Sequence, residues 1–242
     1  LSKPYTEKDK LLPINFEKIE LKGISFNYSS QKHTIFEGID LLINSGDRIG
    51  LVGKTGSGKS TLIDLIIGLV KPKDGEVLLN NKNIHLHKSL KDSWMKSIAI
   101  VPQDLFLIND TFLSNIALNV PKEMIDLQRI NNCLEAAELN SFLEGQLNGL
   151  STLITENGKN LSGGQKQRIG IARALYRNCK FLIFDEATSA LDSKTESKII
   201  NKINKLDKQI SILIVAHRES TLGICDRVYE VRGGRLDLYH IN

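Results

Sequence analysis

Apolar and polar residues alternate from Phe16 through Ile19, Leu21, Ile24, Phe26 and Tyr28, and alternate again over residues 35–43. A period of two predicts half-buried strands, here an N-terminal antiparallel sheet. Solid apolar blocks follow. Arg48–Val52 reads as a short strand running into a glycine-rich loop, and residues 58–69 carry Leu62, Leu65, Ile66 and Leu69 at helical spacing. Residues 73–76 read as a turn before a strand at 77–79, and 97–101 as a further strand ending at Pro102-Gln103. The character shifts again from Asp110 to about Leu150. Leu127, Ile130, Leu134, Ala137 and Leu139 fit an amphipathic helical period there, which predicts a helical insertion between halves of an α/β core. Gly163–Tyr176 is a predicted helix, 181–184 a buried strand, 194–206 a helix and 212–216 a second fully apolar strand. Residues 227–231, a Gly233-Gly234 turn and Arg235–Leu238 form an expected terminal hairpin. Strands apolar throughout, alternating with helices, predict a parallel sheet covered on both faces.

Composition narrows this picture only a little. The 242 residues, 41% hydrophobic and 25% charged, suit one α/β domain with a sizeable core. The net charge of +4 comes from scattered basic residues without the clustering a nucleic-acid surface needs, so no nucleic-acid partner is expected. Cys133, Cys179 and Cys225 are widely spaced with no CxxC pair, and read as reduced and partly buried. No apolar run approaches the roughly 20 residues that span a bilayer. Residues 1–15 are polar and charged and read as a linker.

Chemistry concentrates in three places. Residues 53–60 match G-x-x-x-x-G-K-S between a predicted strand and a predicted helix, the context this phosphate-binding pattern requires. Glycines let several backbone N–H groups face phosphate oxygens at once, and the following helix offers its positive N-terminus. Within the loop, Gly53, Gly56, Ser57 and Gly58 shape the cradle, with Thr55 at a variable position. Lys59 supplies a mobile charge for the β- and γ-phosphates, Ser60 a hydroxyl for Mg²⁺, and Thr61 a further phosphate contact. Downstream, Asp185 and Glu186 stand at the end of a buried strand, where α/β sheets bind ligands. Asp185 is expected to hold Mg²⁺ through water, and Glu186 to polarise an attacking water. Between these two lies Leu161-Ser-Gly-Gly-Gln165, a second anion site at a helix start. Ser162 there reads equally as a plain N-cap.

In order and spacing the three elements resemble the nucleotide-binding domain of ATP-binding cassette (ABC) transporters, from about Phe16 to the C-terminus. The resemblance implies an α/β P-loop NTPase (RecA-like) core with an N-terminal antiparallel β-subdomain and an inserted α-helical subdomain at about 89–176. It implies a split site that hydrolyses ATP with Mg²⁺. One copy supplies the phosphate loop, and the facing copy supplies Ser162, Gly163, Gly164 and Gln165. Gln103 is similar to the glutamine that senses Mg²⁺, residues 189–192 to the loop that crosses the dimer interface, and His217 to the histidine that contacts the γ-phosphate. Tyr28 is similar to the aromatic that stacks on adenine, whereas His33, His85, His87 and His240 read as surface residues. Implied partners are a second cassette and a transmembrane domain, with the cassette on the cytoplasmic face of a membrane. A start at Leu1 rather than Met favours an excised piece over a separate subunit.

Residues 94–115, 125–126, 155–160 and 225–229 resemble exporter cassettes, most of all bacterial half-transporters that flip lipids and polysaccharides. Residues 154–156 depart from the exporter pattern, with Ile-Thr-Glu where Val-Gly-Glu is usual. An importer ATPase and a soluble ABC ATPase remain the alternatives.

Overall fold

In the computed structural model, residues 14–28, 33–216 and 218–240 are described. The N-terminal alternation becomes β1 (Lys18–Phe26) and β2 (Phe36–Asn44), which pair antiparallel. Ile19, Leu21, Ile24 and Phe26 of β1 are buried together with Phe36, Ile39, Leu41 and Ile43 of β2. Next come β3 (Arg48–Val52), α1 (Lys59–Ile67), β4 (Asp74–Leu79) and β5 (Lys82–Asn83). Strands β2-β1-β4-β5 form a four-stranded antiparallel sheet in that order. The turn expected at 73–76 is instead mostly strand. Glu76 pairs with Lys22 and Asp74 with Ser25 across an irregularity in β1, so β4 begins three residues early.

The chain continues through α2 (Lys88–Lys96), β6 (Ile98–Val101), α3 (Phe112–Ile116), α4 (Leu127–Ala136), α5 (Asn140–Glu144) and α6 (Gly163–Tyr176). It ends with β7 (Phe181–Asp185), α7 (Ser193–Ile203), β8 (Ser211–Val215), α8 (Glu219–Leu222), β9 (Arg227–Arg232) and β10 (Arg235–Leu238). The second sheet runs β10-β9-β3-β8-β7-β6, parallel except for the terminal β9–β10 hairpin. Strand β6 lies within the 89–176 stretch and forms the edge of this sheet.

Alternate residues of the central strands feed two cores. Phe181, Ile183, Leu213 and Val215 face α1 and the antiparallel sheet. Leu182, Phe184, Ile212 and Ile214 face α4, α6 and α7. Burial on both sides explains why β7 and β8 are apolar at nearly every position. Helix α2 escapes the periodicity argument because Trp94 is its one buried side chain. Trp94 donates its indole N–H to the carbonyl of Ile66 at 2.9 Å and packs on Phe16 and Phe181, tying α2 to α1. The three cysteines are free thiols, and burial pushes Cys133 up to about 11 and Cys225 up to about 12.

Candidate functional site

Strand β3 delivers the glycine loop, and α1 carries it away. Gly53 has φ 146°, and a Cβ there would lie 2.6 Å from the Val231 carbonyl oxygen and 2.7 Å from the Ser57 hydroxyl. Only glycine allows β9 to approach this closely. Gly58, at φ 109°, makes the left-handed turn into α1. Lys59 is 7% exposed, and its ammonium donates to the carbonyls of Gly53 at 2.8 Å and Lys54 at 3.2 Å. The side chain therefore arches back over the loop it follows. The Ser57 hydroxyl is buried without a hydrogen-bond partner among the described residues. An unsatisfied donor in a glycine cradle, beside a buried cation and a helix N-terminus, suits an incoming anion.

The loop opens on a cavity of about 540 Å³. Its walls bring together Tyr28, residues 55–61, Gln103, Asp185 and Glu186, which span four separate stretches of sequence. Gly53 lies behind this wall and acts through its carbonyl. Burial and then the neighbouring Glu186 carboxylate push Asp185 up, against the pull of Lys59. Glu186 holds φ 52°, a left-handed conformation rare outside glycine, and donates its N–H to the Val215 carbonyl at 3.1 Å. Such strain is concentrated at functional sites.

Among the described residues, no cluster of three or more His, Cys, Asp or Glu can hold a metal by itself. Ser60, Gln103 and Asp185, which line the same cavity, nonetheless carry oxygens of the type that suits Mg²⁺. A cation would also relieve the repulsion between Asp185 and Glu186.

Ser162, Gly163, Gly164 and Gln165 stand apart, since none of them lines this cavity. They open α6 with a capping box. The Ser162 hydroxyl accepts from the Gln165 N–H at 3.2 Å, and the Gln165 side-chain oxygen accepts from the Ser162 N–H at 2.7 Å. The Ser162 hydroxyl keeps its own proton free to donate outward. His217 lies outside the described residues.

Two parts of the cavity wall were not read from the sequence. His33, expected simply at the surface, lines it with Thr34 and Ile35, and so does the Gly233-Gly234 turn. Parallel pairing of Val52 with Glu230 carries the end of β9 to the loop, and the Gly234 carbonyl accepts from the Glu37 N–H at 3.1 Å. Consecutive glycines after a strand were the available signal.

Helix α6 also reaches the segment after Gln103. Arg173 donates to the carbonyls of Phe106 and Asn115 at 2.9 and 2.7 Å, and fully buried Asn115 binds the carbonyls of Ile108 and Thr111. The helix that begins at Ser162 and the loop that follows Gln103 are thus fastened together.

Strand β3 supplies the anion-binding loop and strand β7, two strands away, the acidic pair. This is the division of labour of a P-loop NTPase. The family model described as ABC transporter matches residues 36–189, and the chain belongs to that family. It is 37% identical over 239 residues to an ATP-dependent lipid A-core flippase of Cupriavidus metallidurans, covering 98% of this chain and 40% of the relative. It is likewise 37% identical to the alpha-hemolysin translocation ATP-binding protein HlyB of Escherichia coli O157:H7, covering 97% of this chain and 33% of that one. ABC transporter B family member 14 of Arabidopsis thaliana is 39% identical over 90% of this chain and 17% of its own length. A solved structure, a bacterial Atm1-family ABC exporter with ATP bound, superposes with a TM-score of 0.85 at 31% identity, covering 96% of this chain and 40% of the other. The chain therefore spans less than half the length of each of these relatives. No helix among the described residues is long and apolar enough to cross a membrane.

Proposed function

We propose that two copies of this cassette close on two ATP molecules, hydrolyse them, and drive export or flipping of a cargo by a membrane-spanning part at whose cytoplasmic face they sit. One observation carries this reading. The cavity gathers the expected nucleotide contacts among the described residues except Gly53, which lies behind its wall, and Ser162–Gln165, which open α6 away from it. A half-site of this form needs a second copy. Residues 16–242 then form the cassette, and residues 1–15 lead to it from the membrane part.

In this reading Tyr28 stacks on adenine, the loop N–H groups and Lys59 bind the β- and γ-phosphates, and Thr61 adds a hydroxyl. Ser60, Gln103 and Asp185 hold Mg²⁺, which when bound neutralises phosphate charge. Glu186 orients and polarises the attacking water, and His217 contacts the γ-phosphate. The protein's part in phosphoryl transfer is positioning and charge neutralisation.

Phe106 and Leu153 are 68% and 63% exposed. The 155–160 loop meets the Gln103 segment, with Asn157 accepting from the Leu107 N–H at 3.4 Å. This surface suits the membrane part, and Arg173 connects it to α6. The relatives' names give cargoes as different as lipid A-core and hemolysin, so cargo choice belongs to the membrane part.

The test is the ATPase rate per cassette as a function of protein concentration. A paired site gives a rate per cassette that climbs with concentration to a plateau. A constant rate from a protein that remains monomeric with MgATP would overturn the paired site.

A further inference from the structure

Glu196 is only 3% exposed, and nothing in the mechanism above uses it. Three segments converge on its carboxylate. Thr188, two residues beyond Glu186, donates its hydroxyl to Oε1 at 2.7 Å. Thr221 of α8 donates its hydroxyl to the same oxygen at 2.7 Å. Arg218, the residue after His217, donates to Oε2 at 2.5 Å and also reaches the Leu191 carbonyl at 3.3 Å. A cavity of about 100 Å³ touches Glu186, Glu196 and Arg218 together, so the cluster adjoins Glu186.

Burial by itself raises the Glu196 carboxyl, but the Thr221 and Thr188 hydroxyls and the Arg218 guanidinium outweigh it and hold the group below the usual carboxylate range. A buried carboxylate with both oxygens occupied joins its donors firmly, because losing Arg218 leaves the charge unpaired and losing either threonine strips a hydrogen bond from it. The turn after Glu186 is gripped from its other side as well. Gln167 of α6 donates to the Ser189 hydroxyl at 3.0 Å and accepts from the Ala190 N–H at 2.9 Å.

We infer that Glu196 is a positioning residue for ATP hydrolysis, fixing the turn that follows Glu186 against the segment that follows β8. The two segments that flank the terminal phosphate in the proposed mechanism then keep one spacing. Nucleotide binding by a single copy depends on residues 53–61 and Tyr28, none of which bonds to this cluster, so it is independent of Glu196. The inference rests on the ATPase reading above.

The test compares this chain with its Glu196→Gln variant, which keeps the shape and removes the charge, and with Thr188→Val and Thr221→Val, each of which removes one donor. Glu196→Gln is expected to lower kcat roughly tenfold or more, since small misplacements in an active site are costly. KM and the affinity for a fluorescent ATP analogue stay within about twofold of wild type, because the residues that bind nucleotide lie outside the cluster. Each Thr→Val change lowers kcat in the wild-type background and adds little in the Glu196→Gln background, because one carboxylate receives both hydroxyls. Thr188→Ser and Thr221→Ser retain the donor and the activity. A kcat for Glu196→Gln within twofold of wild type would overturn the inference. Fully additive threonine effects would do the same, and so would parallel losses of kcat and nucleotide affinity. If Glu196→Gln does not fold, the threonine pair still decides, since full activity in both Thr→Val variants overturns the inference as well. Absence of turnover in the wild-type chain would instead refute the ATPase reading.

Discussion

The hydroxyls of Tyr28 and Thr61 meet at 3.3 Å, although 33 residues separate them in sequence. Tyr28 follows β1 of the antiparallel sheet and Thr61 lies in the first turn of α1, so this contact sets the aromatic ring against the phosphate loop. Phe26 supports the ring edge-on with centroids 5.0 Å apart. Tyr28→Ala is expected to weaken ATP binding by about 1–3 kcal/mol, the range for aromatic–base stacking. Tyr28→Phe keeps the ring, loses the Thr61 contact and is expected to bind nearly as wild type. Titration with a fluorescent nucleotide measures both, and wild-type affinity in Tyr28→Ala would reduce the tyrosine to a packing residue.

Asp185 makes an opposite demand on the empty and the loaded site. Burial first, and the Glu186 carboxylate second, raise it above its ordinary value of 3.8. An acid raised in the folded state binds more protons folded than unfolded between its two values, so stability falls as pH rises through that window. The penalty is absent well below 3.8 and grows as pH rises above it. Asp185→Asn is therefore expected to raise the melting temperature of the nucleotide- and metal-free chain at pH 7, with the gain shrinking as pH falls toward 3.8. The same change is expected to impair Mg²⁺-dependent turnover. A thermal-unfolding series across pH checks the first effect, and a lower melting temperature at pH 7 would contradict it.

Much of this site is legible in the linear sequence because its parts are local. The glycine loop needs only eight consecutive residues between a strand and a helix. The blocks at β3, β7 and β8 are recognisable because burial on both faces excludes polar residues. What escapes is long-range. The Gly233-Gly234 turn reaches the cavity through the pairing of β9 with β3, and the two glycines signal a turn but not where it lands. The Thr188–Glu196–Thr221 cluster joins residues whose types are unremarkable singly. Helix α2 was invisible to periodicity because a single buried tryptophan makes no period. Ser162 stood between two roles in the sequence, and the capping box establishes one of them while leaving its proton for the other.

Glu186→Gln separates nucleotide binding from hydrolysis. Glutamine preserves the size and the hydrogen bonding but removes the carboxylate that polarises water. Both side chains bear the same left-handed backbone cost, so the comparison isolates the charge. The variant is expected to bind ATP, to lose turnover by two orders of magnitude or more in line with general-base catalysis of about 10²–10⁴-fold, and to accumulate as a dimer with MgATP. Sedimentation reads the assembly directly, and a monomer at saturating ATP would count against the sandwich.

The decisive question is whether the start of α6 acts on its own copy or on the facing one. Gly164 is a poor place to ask, because a Cβ there would lie 3.1 Å from the Ala190 carbonyl oxygen and disturb the neighbouring turn. Ser162 is exposed and its side chain serves α6 as an N-cap. Aspartate caps a helix about as well as serine, so Ser162→Asp preserves the local fold while setting a carboxylate toward the γ-phosphate of the partner's nucleotide. Like-charge repulsion in a poorly solvated site is expected to cost several kcal/mol. The variant is expected to bind ATP as a monomer, with its own phosphate loop intact, and neither to dimerise nor to hydrolyse. Mixing it with Lys59→Ala sharpens the result. In that heterodimer the phosphate loop of the Ser162→Asp copy faces the intact Ser162 of the Lys59→Ala copy, which completes one composite site. Activity that returns on mixing, from two proteins each inert alone, requires the two halves to act in trans. Wild-type turnover by unmixed Ser162→Asp would refute the composite site outright.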